Sequence, residues 1–139
     1  MEQIHASCVA IDNQGVLLRG VSGAGKSDLA LRLIDQGADL IADDRVHLKV
    51  AKGQLFASAP GAIAGLLEVR GIGIVQMPTL ATVAVSIVID LVPEADIERL
   101  PEAEWAEIFG FPIRQIKMYA FEPSAPAKIR TLLRYPLEK

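Results

Sequence analysis

At 139 residues, with 51% apolar and 22% charged side chains, the chain has the composition of one globular domain able to bury a core without disulfides or metals. A net charge of -3 argues against nucleic acid as the main partner, and Cys8, the single cysteine, excludes an internal disulfide and suits a reducing compartment. Met1 to His5 lacks the basic and apolar segments of a signal peptide, and the longest apolar stretch, Ala81 to Val92, is interrupted by Thr82, Ser86 and Asp90. A soluble cytoplasmic protein without a membrane partner is expected.

Ile4 to Ile11 is an apolar, β-rich run, Asp12 to Gly15 supplies turn residues, and Val16 to Arg19 resumes an apolar strand. The pattern predicts a hairpin feeding into Gly20. From Lys26 to Gln36 the apolar residues Leu29, Ala30, Leu33 and Ile34 recur at helical spacing, and Gly37 sits where a helix ends. Ala38 to Ala42 reads as a short buried strand closing on Asp43-Asp44, and Val46 to Phe56 as a second hairpin broken at Gly53. Pro60 to Gly65 is a loop of small residues, and Leu66 to Met77 carries the charged pair Glu68 and Arg70. Val83 to Val92 is the strongest strand. The acidic run Glu94 to Glu107 is predicted to be a surface helix, restarted by Pro101, before a last strand over Ile113 to Phe121 and a last helix over Ala125 to Arg134. Hairpins followed by alternating strands and helices predict an α/β fold with a mixed, partly antiparallel sheet and flanking helices.

Gly20-Val21-Ser22-Gly23-Ala24-Gly25-Lys26-Ser27 matches the phosphate-loop pattern G-x-x-x-x-G-K-[ST] at every defined position. Four fixed positions make a chance match in this composition a matter of roughly two in a thousand. The loop also lies between an apolar strand and a periodic helix, as the motif requires. Glycines let the backbone wrap with its N–H groups inward, and the following helix adds its own free amides as an anion cradle. Lys26 would reach the β- and γ-phosphates, and the Ser27 hydroxyl would ligate Mg²⁺.

The missing features narrow the class. There is no N-K-x-D run to specify guanine, and no length for the arginine-rich lid of a nucleoside kinase or for an AAA or ABC module. Asp43 and Asp44 follow Lys26 after one helix and one strand, which returns them to the carboxyl edge of the sheet beside the loop. An exposed acid pair in a turn is the plain alternative. Beside a phosphate loop, one carboxylate serving the metal and its neighbour taking a hydroxyl proton is the better reading.

Taken together, Gly20 to Ser27, Ala42-Asp43-Asp44-Arg45-Val46 and Leu67-Glu68-Val69-Arg70-Gly71-Ile72-Gly73-Ile74 resemble the HPr kinase/phosphorylase family. The likeness runs from about His5 to the C-terminus and is strongest up to Ile74. It implies a phosphate-loop kinase fold related to phosphoenolpyruvate carboxykinase and an ATP- and Mg²⁺-dependent transfer to a serine of HPr, the phosphocarrier of the phosphotransferase system. It further implies a homo-oligomer, hexameric in the family, and a single catalytic domain over residues 1–139 without the usual N-terminal regulatory domain.

By the same resemblance, Asp44 is the proton acceptor and Asp43 its neighbour in the metal region. Glu68 is a further Mg²⁺ ligand, although the residues alone do not exclude an ordinary strand-edge acid. His5, on the strand before the loop, falls near the phosphates with Asp44 or the acceptor as its hydrogen-bond partner. Arg70, two residues from Glu68, falls on the same strand face and would neutralise transferring phosphate. Arg99 matches an arginine beside the active site; a solvated helix arginine is the alternative. Two departures stand out: Asp28 replaces the usual Glu, and Phe121 to Lys128 lacks the arginine of the loop tied to the reverse reaction. Kinase activity with weak or absent phosphorylase activity is therefore expected. The competing functions are a kinase of a small hydroxylated metabolite and a non-catalytic nucleotide sensor; intact Lys26, Asp43, Asp44 and Glu68 count against the latter.

Overall fold

The computed structural model describes residues 2–137. Strands β2 (Ser7–Ile11) and β3 (Gln14–Arg19) form the hairpin that leads to the phosphate loop. Its two-residue turn places Asp12 at φ 50° and Asn13 at φ 63°, the left-handed pair that matches strand twist and that short polar side chains tolerate. Helix α1 (Lys26–Asp35) follows the loop and packs Leu29, Ala30 and Leu33 on the sheet. Strand β4 (Asp39–Ala42) then returns antiparallel to β2, and so parallel to β3.

A second hairpin, β5 (Arg45–Ala51) and β6 (Gln54–Ser58), turns at Lys52-Gly53. Strands β7 (Leu66–Val69) and β8 (Gly73–Gln76) form a separate two-stranded ribbon, anchored by the fully buried Leu67. Strand β9 (Thr82–Leu91) is the central member of the large sheet. It runs parallel to β3 and to β11 (Phe111–Met118), and antiparallel to β6. Helix α2 (Ala125–Arg134) closes the chain with Ala125 and Ile129 buried.

The mixed sheet curls on itself. One face carries Val9, Val16, Leu18 and Ile89 against α1 and α2; the other carries Cys8, Leu17, Ile41 and Val88 against Val46, Leu48 and Leu55 of the curled half. This is why β2 is buried at all of its positions rather than alternating. A bulge adjusts the pleat at β9: Gly15 pairs with Val85 but Val16 pairs with Ile87, so Ser86 is the extra residue. Val83 and Val85 therefore share a face with Val88 rather than with Ile87. Gly15 is required there, since a Cβ would stand 2.8 Å from the Ala84 carbonyl oxygen.

Two expectations are corrected. Ile4 to Ile11 is not one strand: the chain bends at Ala6, and β1 (Glu2–His5) leaves β2 to pair with β5. Glu94 to Glu107 is not a helix. A single 3-10 turn (Glu94–Asp96) leads into an extended link and β10 (Glu104–Ile108), which pairs with β11 across a Phe109-Gly110 turn. The reason is burial of Ala106 and Ile108 at a period of two, which outweighs the helix preference of the flanking glutamates.

Candidate active site

The pairings β4–β2–β3–β9–β11 define a five-strand block in which β3, β4, β9 and β11 all point the same way. Their carboxyl ends share one edge, and the phosphate loop, the acid pair and the segment after β11 emerge there side by side. Such an edge is where ligands bind in open α/β sheets. A cavity of about 680 Å³ opens at it, within the range of small-ligand sites.

Gly23 (φ 85°) and Gly25 (φ 102°) bend the loop through left-handed backbone. Gly25 is also the N-cap of α1, and no side chain caps that helix. Its first N–H groups are left for a ligand, and the helix dipole favours an anion. Gly25 has a second constraint: a Cβ would lie 2.8 Å from the Ala120 Cβ and 2.9 Å from the Phe121 ring. Lys26 folds back over the loop, its Nζ donating to the carbonyls of Gly20 (2.8 Å) and Val21 (3.3 Å).

Behind the loop lies Asp43, 8% exposed. Its Oδ1 accepts two hydroxyl hydrogen bonds, from Ser27 (2.7 Å) and from the fully buried Ser7 (2.8 Å). A buried carboxylate needs such donors, and here they join the loop serine to β2, the first strand of the hairpin that leads to the loop. Asp44 is held differently. Its N–H donates to Ser7 Oγ (3.2 Å), its carbonyl accepts from the Ala6 N–H (3.2 Å), and the Arg45 N–H reaches across it to the Asp43 carbonyl (2.8 Å). That three-residue turn puts Asp44 at φ 69°. A non-glycine residue so placed costs about 1–3 kcal/mol, a strain typical of functional positions. Both backbone groups of Asp44 are thus engaged while its side chain faces the cavity.

The β7–β8 ribbon brings Glu68 and Arg70 to the same cavity, and β1 brings His5. Arg70 stands in the turn beyond β7, so its meeting with Glu68 owes to the turn and not to a shared strand face. Although its backbone neighbours Asp44, the His5 side chain makes no hydrogen bond with that carboxylate. Gly20, Ser22, Gly23, Gly25, Lys26 and Ser27 line the cavity, whereas Val21 and Ala24 belong to the loop without lining it. Arg99 is exposed in the link between the 3-10 turn and β10, and is not among the lining residues. Cys8 is fully buried in the core, and His47 pairs with Gln3 (3.1 Å) away from the site.

Sequence reasoning missed Ser7, which bridges both acids. A serine opening an otherwise apolar strand was the available signal. It also missed Phe121, which lines the cavity.

Among the described residues no group of three His, Cys, Asp or Glu side chains is arranged as a metal cage. Mg²⁺ rarely uses one; it is held by one or two carboxylates together with substrate phosphates and water. Ser27 and Asp43, in contact beneath the loop, fit that requirement, and Glu68 adds a carboxylate facing the cavity.

A family model described as the HPr serine kinase C-terminal domain matches residues 1–120. The HPr kinase/phosphorylase of Caldanaerobacter subterraneus subsp. tengcongensis is 39% identical over 123 residues, covering 86% of this chain and 40% of that protein. The HPr kinase/phosphorylase of Clostridium tetani is 45% identical over 78 residues, 56% of this chain and 26% of that one. Across such relatives the chain spans 25–41% of their length. The solved Hpr(Ser) kinase/phosphatase from Coxiella burnetii superimposes with a TM-score of 0.85 at 30% identity, covering 96% of this chain and 95% of that one.

Proposed function

Because the chain belongs to the HPr serine kinase C-terminal domain family, we propose that it is an ATP- and Mg²⁺-dependent protein kinase that phosphorylates a serine of HPr. The observation that supports this reading is the Ser27–Asp43–Ser7 chain of hydrogen bonds, which anchors the Asp44 backbone beside the phosphate loop while Asp44 lines the cavity.

Phosphoryl transfer asks the protein for positioning and charge stabilisation more than for covalent chemistry. The loop amides and Lys26 hold the phosphates. To do so, Lys26 exchanges its two carbonyl partners for phosphate oxygens. Mg²⁺ would be held by Ser27 and Asp43 with Glu68 beside them, and would supply positive charge against the phosphates. Asp44 accepts the proton of the acceptor serine as its oxygen forms the new P–O bond, the bond to the β-phosphate breaks, and ADP leaves. Arg70 and His5 face the same space and suit the charge on the transferring group.

Weak or absent phosphorylase activity is part of the same proposal. In the segment after β11 the first arginine is Arg130, and it is engaged elsewhere, donating to the carbonyls of Leu33 (3.3 Å) and Gln36 (3.1 Å) at the C-terminal end of α1. Self-association is supported by Leu100 and Trp105, apolar and exposed around β10. Among the described residues no helix is long and apolar enough to cross a membrane. ADP release from Mg-ATP, measured with and without HPr, tests the reading. Turnover that requires HPr supports it, and turnover independent of any protein acceptor favours a metabolite kinase.

A further inference from the structure

The nucleotide site has two flanks, and only one carries the acids. In the block β4–β2–β3–β9–β11 the phosphate loop follows the middle strand, β3. Neighbouring strands lie about 4.8 Å apart, so the axis of β4, which the acid pair follows, runs roughly 10 Å to one side of β3, with Asp43 reaching back to Ser27 of the loop. The axis of β11 runs about as far to the other side, with the segment after it reaching back to Gly25. If the reacting phosphate faces Asp44, the rest of the nucleotide must leave the loop toward β11.

Phe121 stands there. It lines the cavity, is 52% exposed, and stands so close to Gly25 that a Cβ there would lie 2.9 Å from its ring. The ring is held in place. Arg32 on α1 donates to the carbonyls of Ala120 and Glu122 (3.3 Å for the latter), on either side of Phe121, and is itself braced by Asp28 at 3.0 Å. Tyr119 meets the ring edge-on, with centroids 5.8 Å apart. A large apolar ring left half in water, with its backbone fixed to the helix that begins the phosphate site, is a ready stacking surface.

The geometry points to Phe121 as the platform on which the nucleotide base stacks, with Arg32 as the residue that positions it. This inference rests on the phosphate-loop reading above, and it assigns the base end of the same site. Stacking on one aromatic side chain is worth about tenfold in affinity by truncation, and a ligand without a base should not feel the change.

The test is calorimetric binding of a non-hydrolysable ATP analogue and of inorganic tripolyphosphate, each with Mg²⁺, to wild type and variants. Phe121→Ala and Phe121→Leu should both weaken the nucleotide about tenfold and leave tripolyphosphate within twofold. Phe121→Tyr should bind both like wild type. Leucine keeps most of the packing on Gly25, so the result stands even if the alanine variant folds poorly. Equal losses for both ligands, or no loss for either, would overturn the platform while leaving the phosphate loop intact. Wild type that binds neither ligand would overturn the phosphate-loop reading and the platform with it.

Discussion

Ser7→Ala is the sharpest test of how the acid pair is built. Ser7 is fully buried, donates to Asp43 Oδ1 at 2.8 Å, and accepts from the Asp44 N–H at 3.2 Å. Alanine removes a donor from a buried carboxylate and orphans an amide in a turn already at φ 69°. Hydrogen bonds to charged groups contribute about 1.5–3 kcal/mol, and a neutral one about 1 kcal/mol. Asp43 keeps its bond from Ser27, which offsets part of the loss, so a net destabilisation of about 2–3 kcal/mol is expected. Urea unfolding should show a lower midpoint at an unchanged slope. Ser7 does not line the cavity, so nucleotide affinity should change little, whereas turnover should fall about tenfold or more as Asp44 loses its anchor. A loss below about 0.5 kcal/mol with wild-type turnover would refute the argument, because it would mean that neither acid depends on Ser7.

Other substitutions probe the remaining links. Asp44→Asn should lower kcat by about 10²–10⁴ while leaving nucleotide affinity within twofold, as read by steady-state kinetics and calorimetry. Gly25→Ala forces a side chain into left-handed backbone and against Ala120 and Phe121; thermal unfolding should show about 2–4 kcal/mol of destabilisation, and nucleotide binding should be lost. Burial pushes the Cys8 thiol up to about 12, with a backbone hydrogen bond at Val16 pulling slightly the other way. Native protein should therefore resist thiol reagents at pH 8 and react once unfolded. The same shift has a definite sign: above about pH 9 the unfolded thiol ionises while the native one does not, so stability falls toward pH 12 by about 1.4 kcal/mol per unit, a slope that Cys8→Ala should lack.

The elements readable from the sequence were those whose signals are local. The periodic run after Lys26, the glycine after it, and the helix from Ala125 to Arg134 all stand where spacing put them. Lys52-Gly53 marks its hairpin openly. The strand β10 was hidden because glutamates dominate its composition, and only the inward pair Ala106 and Ile108 betrays its period. Its turn, Phe109-Gly110, places a phenylalanine at φ 48°, which no turn preference anticipates. The site divides the same way. Lys26, Ser27 and the acid pair were legible because their spacing is the chemistry. Ser7 and Phe121 matter only through partners distant in sequence, Asp43 for one and Gly25 with Arg32 for the other, and no local pattern announces such pairs.

If Asp44, presented beside the phosphate loop by the Ser7–Asp43 bridge, receives the proton of a protein serine during transfer from ATP, its removal must silence the transfer. The most direct measurement incubates wild type and Asp44→Asn with γ-labelled ATP, Mg²⁺ and HPr, and maps the acid-stable label by mass spectrometry. Label is expected on an HPr serine with wild type, at a rate at least about a hundredfold lower with Asp44→Asn. Tight ATP binding by wild type with no label on HPr, or equal labelling by both proteins, would contradict it.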